Sequence, residues 1–293
     1  MTTHPTAPAT AAGQADSGVA ATAAGSPAAA APAVTFERLV HDVHGTSTVV
    51  LAAGDPAAPP VVFLHGAGTF HGWAFAQPWV EQFRVLIPYH PGYGESDDLD
   101  GLREVHDLVV HYVELFDQLG LTNDVNLVGF SLGGLIAARF AIEQKHRLRR
   151  LVLVAPAGLR VPGVEADDLF RIPPDELVGR LVHRMETILP HLPADPDDVD
   201  FTVDRYREMR TTAIMLWEQP FDRVLPRWLG RVDTPALIVW GEEDRLAPVG
   251  LAHGWADLLP RATVATFPDA GHLVLDESPD ATAAVRVFCG PTG

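Results

Sequence analysis

Short apolar runs that favour β-strands alternate along most of the chain with longer segments whose apolar residues recur at helical spacing. Most of these runs are apolar at nearly every position, which indicates strands that are buried on both faces. The runs lie at 47–51, 61–64, 83–88, 125–128, 151–154, 236–240 and 263–267. Repeated alternation of strand and helix predicts a parallel sheet with right-handed crossovers, and therefore a layered α/β domain.

One interval breaks this alternation. Between the runs at 151–154 and 236–240, roughly 80 residues contain no convincing strand pattern. Apolar spacing predicts helices over 175–189, 198–217 and 221–229, separated by prolines. A long insertion at the edge of a parallel sheet often covers an active site, so we interpret residues from about 157–232 as a helical cap. A helical extension with no role in the site is the alternative.

Residues 1–33 differ from the rest of the chain in composition. They consist almost entirely of Ala, Thr, Pro, Gly and Ser, and Asp16 is their one formally charged side chain. The segment has neither the positive start nor the apolar block of a secretory signal. We therefore expect a disordered tail at 1–33 and one domain at 34–290.

The charge of the chain disfavours two classes of partner. The chain has 21 Lys and Arg against 38 Asp and Glu, a formal net charge of −17, which opposes nucleic-acid phosphates and anionic lipid surfaces. No apolar stretch of about 20 residues predicts a membrane span. We expect a small-molecule substrate and neither nucleic acid nor membrane as a partner, with the oligomeric state open. The single cysteine, Cys289, cannot form an intramolecular disulfide, which fits a cytoplasmic location.

The strongest chemical motif is Gly129-Phe130-Ser131-Leu132-Gly133. It directly follows the run at 125–128 and precedes a helical run at 135–141, and a G-x-S-x-G pattern in this position is typical of a nucleophile elbow. The glycines make room for the serine, and the N–H groups at the start of the helix favour negative charge. A serine that only caps the helix is the alternative, but it does not account for glycines on both sides.

A serine hydroxyl is a weak nucleophile, so it needs a base that a third group orients. In proteins with a nucleophile elbow the order along the chain is serine, acid, histidine. His272 follows the last predicted strand, and three acids, Glu242, Glu243 and Asp244, follow the run at 236–240. The spacing favours Asp244 and leaves the two glutamates open.

A glycine-rich turn, His65-Gly66-Ala67-Gly68, follows the run at 61–64. Acyl transfer develops an oxyanion, which two backbone N–H groups can hold, and glycines let the backbone approach closely. We assign these donors as the N–H groups of Ala67 and Leu132. The chain has no phosphate-binding G-x-x-x-x-G-K-[ST] motif and no G-x-G-x-x-G opening a helix, so nucleotide binding is not expected. We expect neither a cofactor nor a metal ion.

A fourth motif, His90-Pro91-Gly92-Tyr93-Gly94-Glu95-Ser96, indicates a tight structural loop after the run at 83–88. With these motifs in this order, the chain resembles the capped, single-domain proteins of the α/β-hydrolase fold from about Val34 to Phe288. The resemblance implies a mostly parallel sheet of eight strands flanked by helices, with a helical cap between strands six and seven. It also implies Ser131 as nucleophile, Asp244 as acid and His272 as base.

The resemblance separates several chemistries. Relatives that act on epoxides or haloalkanes carry aspartate at the elbow, whereas this chain has Ser131. Similar proteins also include carboxylesterases, cofactor-free haloperoxidase-like proteins and hydrolases that cleave carbon–carbon bonds in ring-fission products. The last group usually has Gly-Pro after its His-Gly motif, where this chain has Gly68-Thr69-Phe70.

We therefore expect a serine hydrolase that forms an acyl-enzyme from a small, neutral or apolar ester-like substrate. Carbon–carbon hydrolysis and a ligand-binding protein with low turnover are the alternatives. Acids in the insertion, such as Asp195 and Asp200, disfavour a polyanionic substrate. Apolar residues there are candidates for a hydrophobic site beneath the cap, with helix packing as the alternative: Phe170, Met185, Ile188, Met209, Ile214, Met215 and Trp217.

Overall fold

A computed structural model describes residues 35–291, and the predicted tail at 1–33 lies outside these residues. Within the described range, eight strands form one sheet in the order β1-β2-β4-β3-β5-β6-β7-β8. The strands are β1 (Glu37–Val43), β2 (Thr46–Ala53), β3 (Pro60–Leu64), β4 (Arg84–Pro88), β5 (Val125–Phe130), β6 (Leu148–Val154), β7 (Ala236–Gly241) and β8 (Ala262–Phe267). Strand β2 pairs antiparallel with β1 and β4, and the other neighbours are parallel, which confirms the predicted sheet.

The apolar runs predict seven of these strands and miss β1. Among the described strands, this one lies at the edge of the sheet and pairs with β2 alone. Its sequence, Glu-Arg-Leu-Val-His-Asp-Val, is largely exposed and carries charged side chains, as edge strands often do. Strands β5 and β7, in contrast, are buried at all six positions.

Helices flank this sheet and also fill the interval between β6 and β7. The α-helices are α1 (Val105–Gln118), α2 (Leu132–Gln144), α3 (Pro174–Leu181), α4 (Met185–Ile188), α5 (Val199–Leu216), α6 (Leu225–Trp228), α7 (Leu251–Leu258), α8 (Val274–Glu277) and α9 (Pro279–Cys289). Short 3₁₀ helices cover Ala74–Trp79, Lys145–Arg147, Leu169–Arg171, Leu189–His191 and Leu229–Arg231. None of the helices between residues 35 and 291 combines the length and apolar character that a membrane span requires.

The insertion between β6 and β7 is helical, as predicted, but two of its three predicted helices have the wrong extent. The single helix expected over 175–189 is split into α3 and α4, because the backbone N–H groups of His183 and Arg184 donate to the Glu277 carboxylate instead of to helix carbonyls. The helix expected over 221–229 begins only at Leu225, since the Asp222 side chain accepts from the backbone N–H groups that follow it.

The third predicted helix, 198–217, corresponds closely to α5. The Asp198 side chain caps it by accepting a hydrogen bond from the Phe201 N–H. The predicted limits of the cap, about 157–232, and of the domain, 34–290, stay predictions.

Candidate active site

Ser131 lies in the sharp turn between β5 and α2, where its backbone has φ 52° and ψ −114°. A positive φ is strained for a residue with a Cβ, and such strain is common where a side chain is held for function. The flanking glycines are required by close approach: a Cβ at Gly133 would lie 2.1 Å from the Leu64 carbonyl oxygen, and one at Gly129 would lie 2.3 Å from the Gly133 carbonyl oxygen. The turn is therefore pressed against the end of β3.

The loops after β7 and β8 bring two further predicted residues to Ser131. His272 Nε2 lies 3.0 Å from Ser131 Oγ, and His272 Nδ1 lies 2.7 Å from Asp244 Oδ2. Both Asp244 and His272 are buried. Of the three acids that the spacing left open, Asp244 contacts the histidine, whereas Glu242 and Glu243 are exposed.

The second oxygen of Asp244 fixes the orientation of this carboxylate. Oδ1 accepts the backbone N–H groups of Leu246 at 2.9 Å and Ala247 at 2.8 Å. Oδ2 is therefore the oxygen that faces the imidazole and accepts from its Nδ1–H. In the neutral ring Nε2 is then the acceptor, and it faces the Ser131 hydroxyl.

The two predicted oxyanion donors lie at the same cavity as Ser131. Leu132 is the first residue of α2, so its N–H has no acceptor within the helix. Within residues 35–291, the Ala67 N–H forms no hydrogen bond. A Cβ at Gly66 would lie 3.3 Å from the Ser131 Cβ, which shows how closely the glycine-rich turn approaches the serine.

Two buried histidines hold the start of that turn. His90 Nε2 donates to the His65 carbonyl oxygen at 2.8 Å, and the His90 backbone N–H donates to His65 Nε2 at 3.0 Å. His65 Nδ1 is then the protonated nitrogen and donates to the Gly66 carbonyl oxygen at 2.7 Å, while His90 Nδ1 accepts from the Tyr112 hydroxyl. Burial lowers the pKa of His90 to about 4 and holds the pKa of His65 well below its usual range, so both rings are neutral at pH 7.

The fourth sequence motif packs against helix α5 of the insertion. The Tyr93 hydroxyl lies 2.6 Å from Thr212 Oγ1, and a Cβ at Gly92 would lie 2.5 Å from Thr211 Oγ1. Sequence reasoning missed one participant here, Glu208, which is buried on the same helix. The sequence feature that could have indicated Glu208 is its charge, because it lies on the same buried helix face as Thr212 and Met215.

A cavity of about 440 Å³ opens beside Ser131 and His272, within the size range of small-molecule sites. Its lining is mostly apolar, and the charged side chains among the lining residues are exposed. Lining residues include Ala67, Leu132, Leu159, Val161, Phe170, Thr212, Leu216, Phe221 and Leu251, with Arg160, Glu165, Asp167 and Asp168 as charged members. In the part of the chain that the structure describes, no cluster of three or more His, Cys, Asp or Glu side chains is arranged to hold a metal ion.

The seven apolar candidates for a hydrophobic site beneath the cap lie in different surroundings, and the alternative of helix packing applies to some of them. Phe170 lines the cavity, and the Trp217 ring packs against it, tilted by 53°, with ring centroids 5.3 Å apart. Ile188 and Met215 instead belong to the hydrophobic core, while Met185 and Ile214 are exposed. Apolar periodicity does not distinguish a helix face that meets a cavity from one that meets the core or solvent.

A mostly parallel eight-stranded sheet, a serine in the turn after β5 and a helical insertion after β6 define the α/β-hydrolase class. The family model described as "Alpha/beta hydrolase family" matches residues 61–285, more than half of the chain. The chain belongs to the alpha/beta hydrolase family.

Relatives in this family carry several activities in their names. Lipase 1 of Psychrobacter immobilis is 25% identical over 253 residues, which cover 82% of this chain and 79% of the lipase. The 2-hydroxy-6-oxo-6-phenylhexa-2,4-dienoate hydrolase of Burkholderia cepacia is 28% identical, covering 75% of this chain and 84% of that enzyme. The solved structure of the hydrolase of the same name from Rhodococcus aligns with a TM-score of 0.70 at 23% identity, covering 86% of this chain and 97% of that one.

Proposed function

We propose that the protein is a serine hydrolase that cleaves small esters with a neutral or apolar acyl group, through an acyl-enzyme on Ser131. The observation that carries this proposal is the hydrogen-bonded series from Ser131 Oγ to His272 Nε2, at 3.0 Å, and from His272 Nδ1 to Asp244 Oδ2, at 2.7 Å. A nucleophile, a base and an orienting acid in this arrangement are what acyl transfer from a neutral serine needs.

In the proposed mechanism, Ser131 Oγ attacks the carbonyl carbon of the ester while His272 Nε2 takes the hydroxyl proton. The new bond pushes the carbonyl electron pair onto oxygen, and the Asp244 carboxylate stabilises the imidazolium. When the intermediate collapses, the bond to the alcohol oxygen breaks and Nε2 gives its proton to that oxygen. Water then attacks the acyl-enzyme with the same base, which releases the acid and restores Ser131.

The Ala67 and Leu132 N–H groups hold the oxyanion in this proposal. Support comes from their position at the cavity and from the lack of a competing acceptor within residues 35–291 for the Ala67 N–H. Removing one such donor typically costs about 3 kcal/mol of transition-state stabilisation.

The substrate class is inferred from the cavity. Its walls are apolar near Ser131, and three of the four charged lining residues, Glu165, Asp167 and Asp168, are acids. An acyl group without charge is favoured there, because a buried anion without a partner is costly. The net charge of −17 acts in the same direction on multiply anionic esters.

The test is a panel of esters, thioesters, lactones and ring-fission dienoates, run on the wild-type protein beside Ser131→Ala. We expect hydrolysis of neutral esters and a loss of kcat of about 10⁵- to 10⁶-fold in Ser131→Ala, by analogy with other triads. A fluorophosphonate should label the wild type once per chain and leave the variant unlabelled. Turnover retained by the variant, with unchanged thermal unfolding, would contradict the covalent mechanism. Labelling without turnover of any panel member would favour a ligand-binding protein.

Carbon–carbon hydrolysis is the second candidate, because two kinds of comparison include dienoate hydrolases. A dienoate carries a carboxylate, so its binding calls for a cation in the cavity. Among the described residues that line the cavity, Arg160 is the one arginine or lysine; it is exposed, with its guanidinium 5.7 Å from the centre of the Phe221 ring. If dienoates are cleaved, Arg160→Gln should raise KM for the dienoate and leave KM for a neutral ester unchanged.

A cytoplasmic location is part of the proposal. The support is that the chain has a single cysteine, Cys289, and therefore no intramolecular disulfide. Fractionation of cells that express the full chain tests this directly, with recovery in the membrane or extracellular fraction as the contrary result.

A further inference from the structure

Glu208 is a buried carboxylate, 2% exposed, that reaches from helix α5 of the insertion to two loops of the core. Its Oε1 accepts the Thr69 hydroxyl at 2.5 Å and the Gly94 N–H at 3.3 Å. Its Oε2 accepts the Thr69 N–H at 3.3 Å and lies 2.9 Å from Arg205 Nη1. Thr69 therefore donates two hydrogen bonds to a residue that lies 139 positions further along the chain.

Thr69 closes the segment that contains the proposed oxyanion donor Ala67. Residues 65–69 belong to no helix or strand, so no regular backbone ladder fixes their conformation. His90 holds the first residue of the segment through the His65 carbonyl oxygen and ring. Glu208 holds the last, and Ala67 lies between these two anchors.

We propose that Glu208 is a positioning residue: through Thr69 it fixes the 65–69 segment so that the Ala67 N–H points at the oxyanion. This inference rests on the proposed serine-hydrolase function. It gives the helical insertion a part in setting the geometry of the reaction, in addition to covering the cavity.

The four partners of Glu208 explain why a carboxylate occupies this position. Three of these groups donate hydrogen bonds and the fourth, Arg205, is a cation, whereas a carboxylate is an anion with two oxygens that only accept. A glutamine would turn its NH₂ group against one pair of donors. Burial raises the pKa of Glu208, while Arg205 and the hydrogen bonds from Thr69 and Gly94 oppose that rise. Arg205 is itself held over the rings of Phe70 and Phe201, at 5.2 and 5.4 Å from their centres.

The experiment compares Glu208→Gln, which replaces one acceptor oxygen with an NH₂ group, and Thr69→Val, which removes the hydroxyl donor, with Thr69→Ser, which keeps the hydroxyl. For a neutral p-nitrophenyl ester we expect the first two variants to lose about tenfold to a hundredfold in kcat with KM little changed, the size of effect that a misplaced catalytic group produces. Thr69→Ser should be close to wild type. Affinity for a phenylboronic acid, which forms a tetrahedral adduct on the serine, should fall in proportion to kcat/KM.

Arg210→Gln is the matched control, because Arg210 lies on the same helix and makes an exposed ion pair with Asp98, away from Thr69. It should leave kcat and boronate affinity unchanged. If Glu208→Gln does not fold, Thr69→Val decides alone, since Thr69 lies in a partly exposed loop. A folded Thr69→Val protein with wild-type kcat and boronate affinity would overturn the inference. So would a double variant, Glu208→Gln with Thr69→Val, whose loss of activation free energy equals the sum of the two single losses. Failure of the serine-hydrolase proposal looks different, because the wild-type protein would then neither label with fluorophosphonate nor need Ser131 for turnover.

Discussion

Replacing Asp244 by Asn exchanges one carboxylate oxygen for an NH₂ group and removes the negative charge. The surrounding hydrogen bonds determine which of the two oxygens is exchanged. Oδ1 accepts two backbone N–H groups, from Leu246 at 2.9 Å and Ala247 at 2.8 Å. The amide oxygen of an asparagine must occupy this position, because an NH₂ group there would face two donors. The NH₂ group is then forced into the place of Oδ2, which lies 2.7 Å from His272 Nδ1.

In that arrangement the asparagine donates to Nδ1, so the neutral imidazole carries its proton on Nε2. Nε2 lies 3.0 Å from Ser131 Oγ and, once protonated, cannot take the serine proton. The equivalent exchange of acid for amide in a chymotrypsin-type protease lowers kcat about 10⁴-fold with the geometry intact. We expect a loss of the same order here, about 5 kcal/mol in activation free energy.

The assay is hydrolysis of a neutral chromogenic ester at pH 7.5 by wild type, Asp244→Asn and the control Glu243→Gln. Glu243 is the adjacent acid but is exposed, so its variant should stay within about twofold of wild type, as surface substitutions usually do. The rate of fluorophosphonate labelling should fall with kcat. A folded Asp244→Asn protein within tenfold of wild type, or equal damage in Glu243→Gln, would refute the assignment of the acid.

Three further predictions concern stability and substrate size. Burial lowers the pKa of both His90 and His111 to about 4, against 6.5 for an unperturbed histidine, so the stability that each contributes is present above pH 6.5 and falls as the pH drops towards 4. The free energy of unfolding, measured in urea, should therefore fall by roughly 2 kcal/mol for each histidine between pH 7 and 5. A free energy of unfolding that does not change over this range would contradict the prediction. Gly133→Ala, whose Cβ would lie 2.1 Å from the Leu64 carbonyl oxygen, should lower the free energy of unfolding by about 3 kcal/mol or more, and an unchanged urea midpoint would show that the turn can relax. Phe221 lines both the main cavity and a neighbouring cavity of about 250 Å³, so Phe221→Ala should raise kcat/KM for long-chain esters relative to short ones, and an unchanged chain-length profile would count against this wall.

Local sequence signals predict much of the sheet and the serine turn. Buried parallel strands such as β5 and β7 are apolar at nearly every position, and a Cβ added to either glycine flanking Ser131 would lie under 2.5 Å from a backbone oxygen. The apolar runs and the G-x-S-x-G pattern each span only a few residues, so a single sequence displays them, although the backbone that crowds Gly133 belongs to β3. The apolar runs do not predict β1, because a strand at the edge of a sheet tolerates charged side chains.

Other features depend on contacts between distant segments. Spacing alone left Glu242, Glu243 and Asp244 as competing acids, and burial beside His272 separates them in the structure. The contact between Thr69 and Glu208 joins a loop after β3 to a helix of the insertion. No local pattern specifies such a pair, because the hydrogen bond exists only once the insertion has folded over the sheet.

In the proposed mechanism Ser131 carries the acyl group during turnover, and rapid-quench mass spectrometry detects such an acyl-enzyme. Wild-type protein is mixed with excess neutral chromogenic ester, quenched in acid within the first turnovers, and measured both intact and as peptides. We expect a mass increase of one acyl group per chain on the peptide that contains Ser131, absent in Ser131→Ala and increased in amount when the acyl group is hydrolysed slowly. Product release that continues at the wild-type rate in Ser131→Ala, or an acyl group found on a different residue, would contradict it.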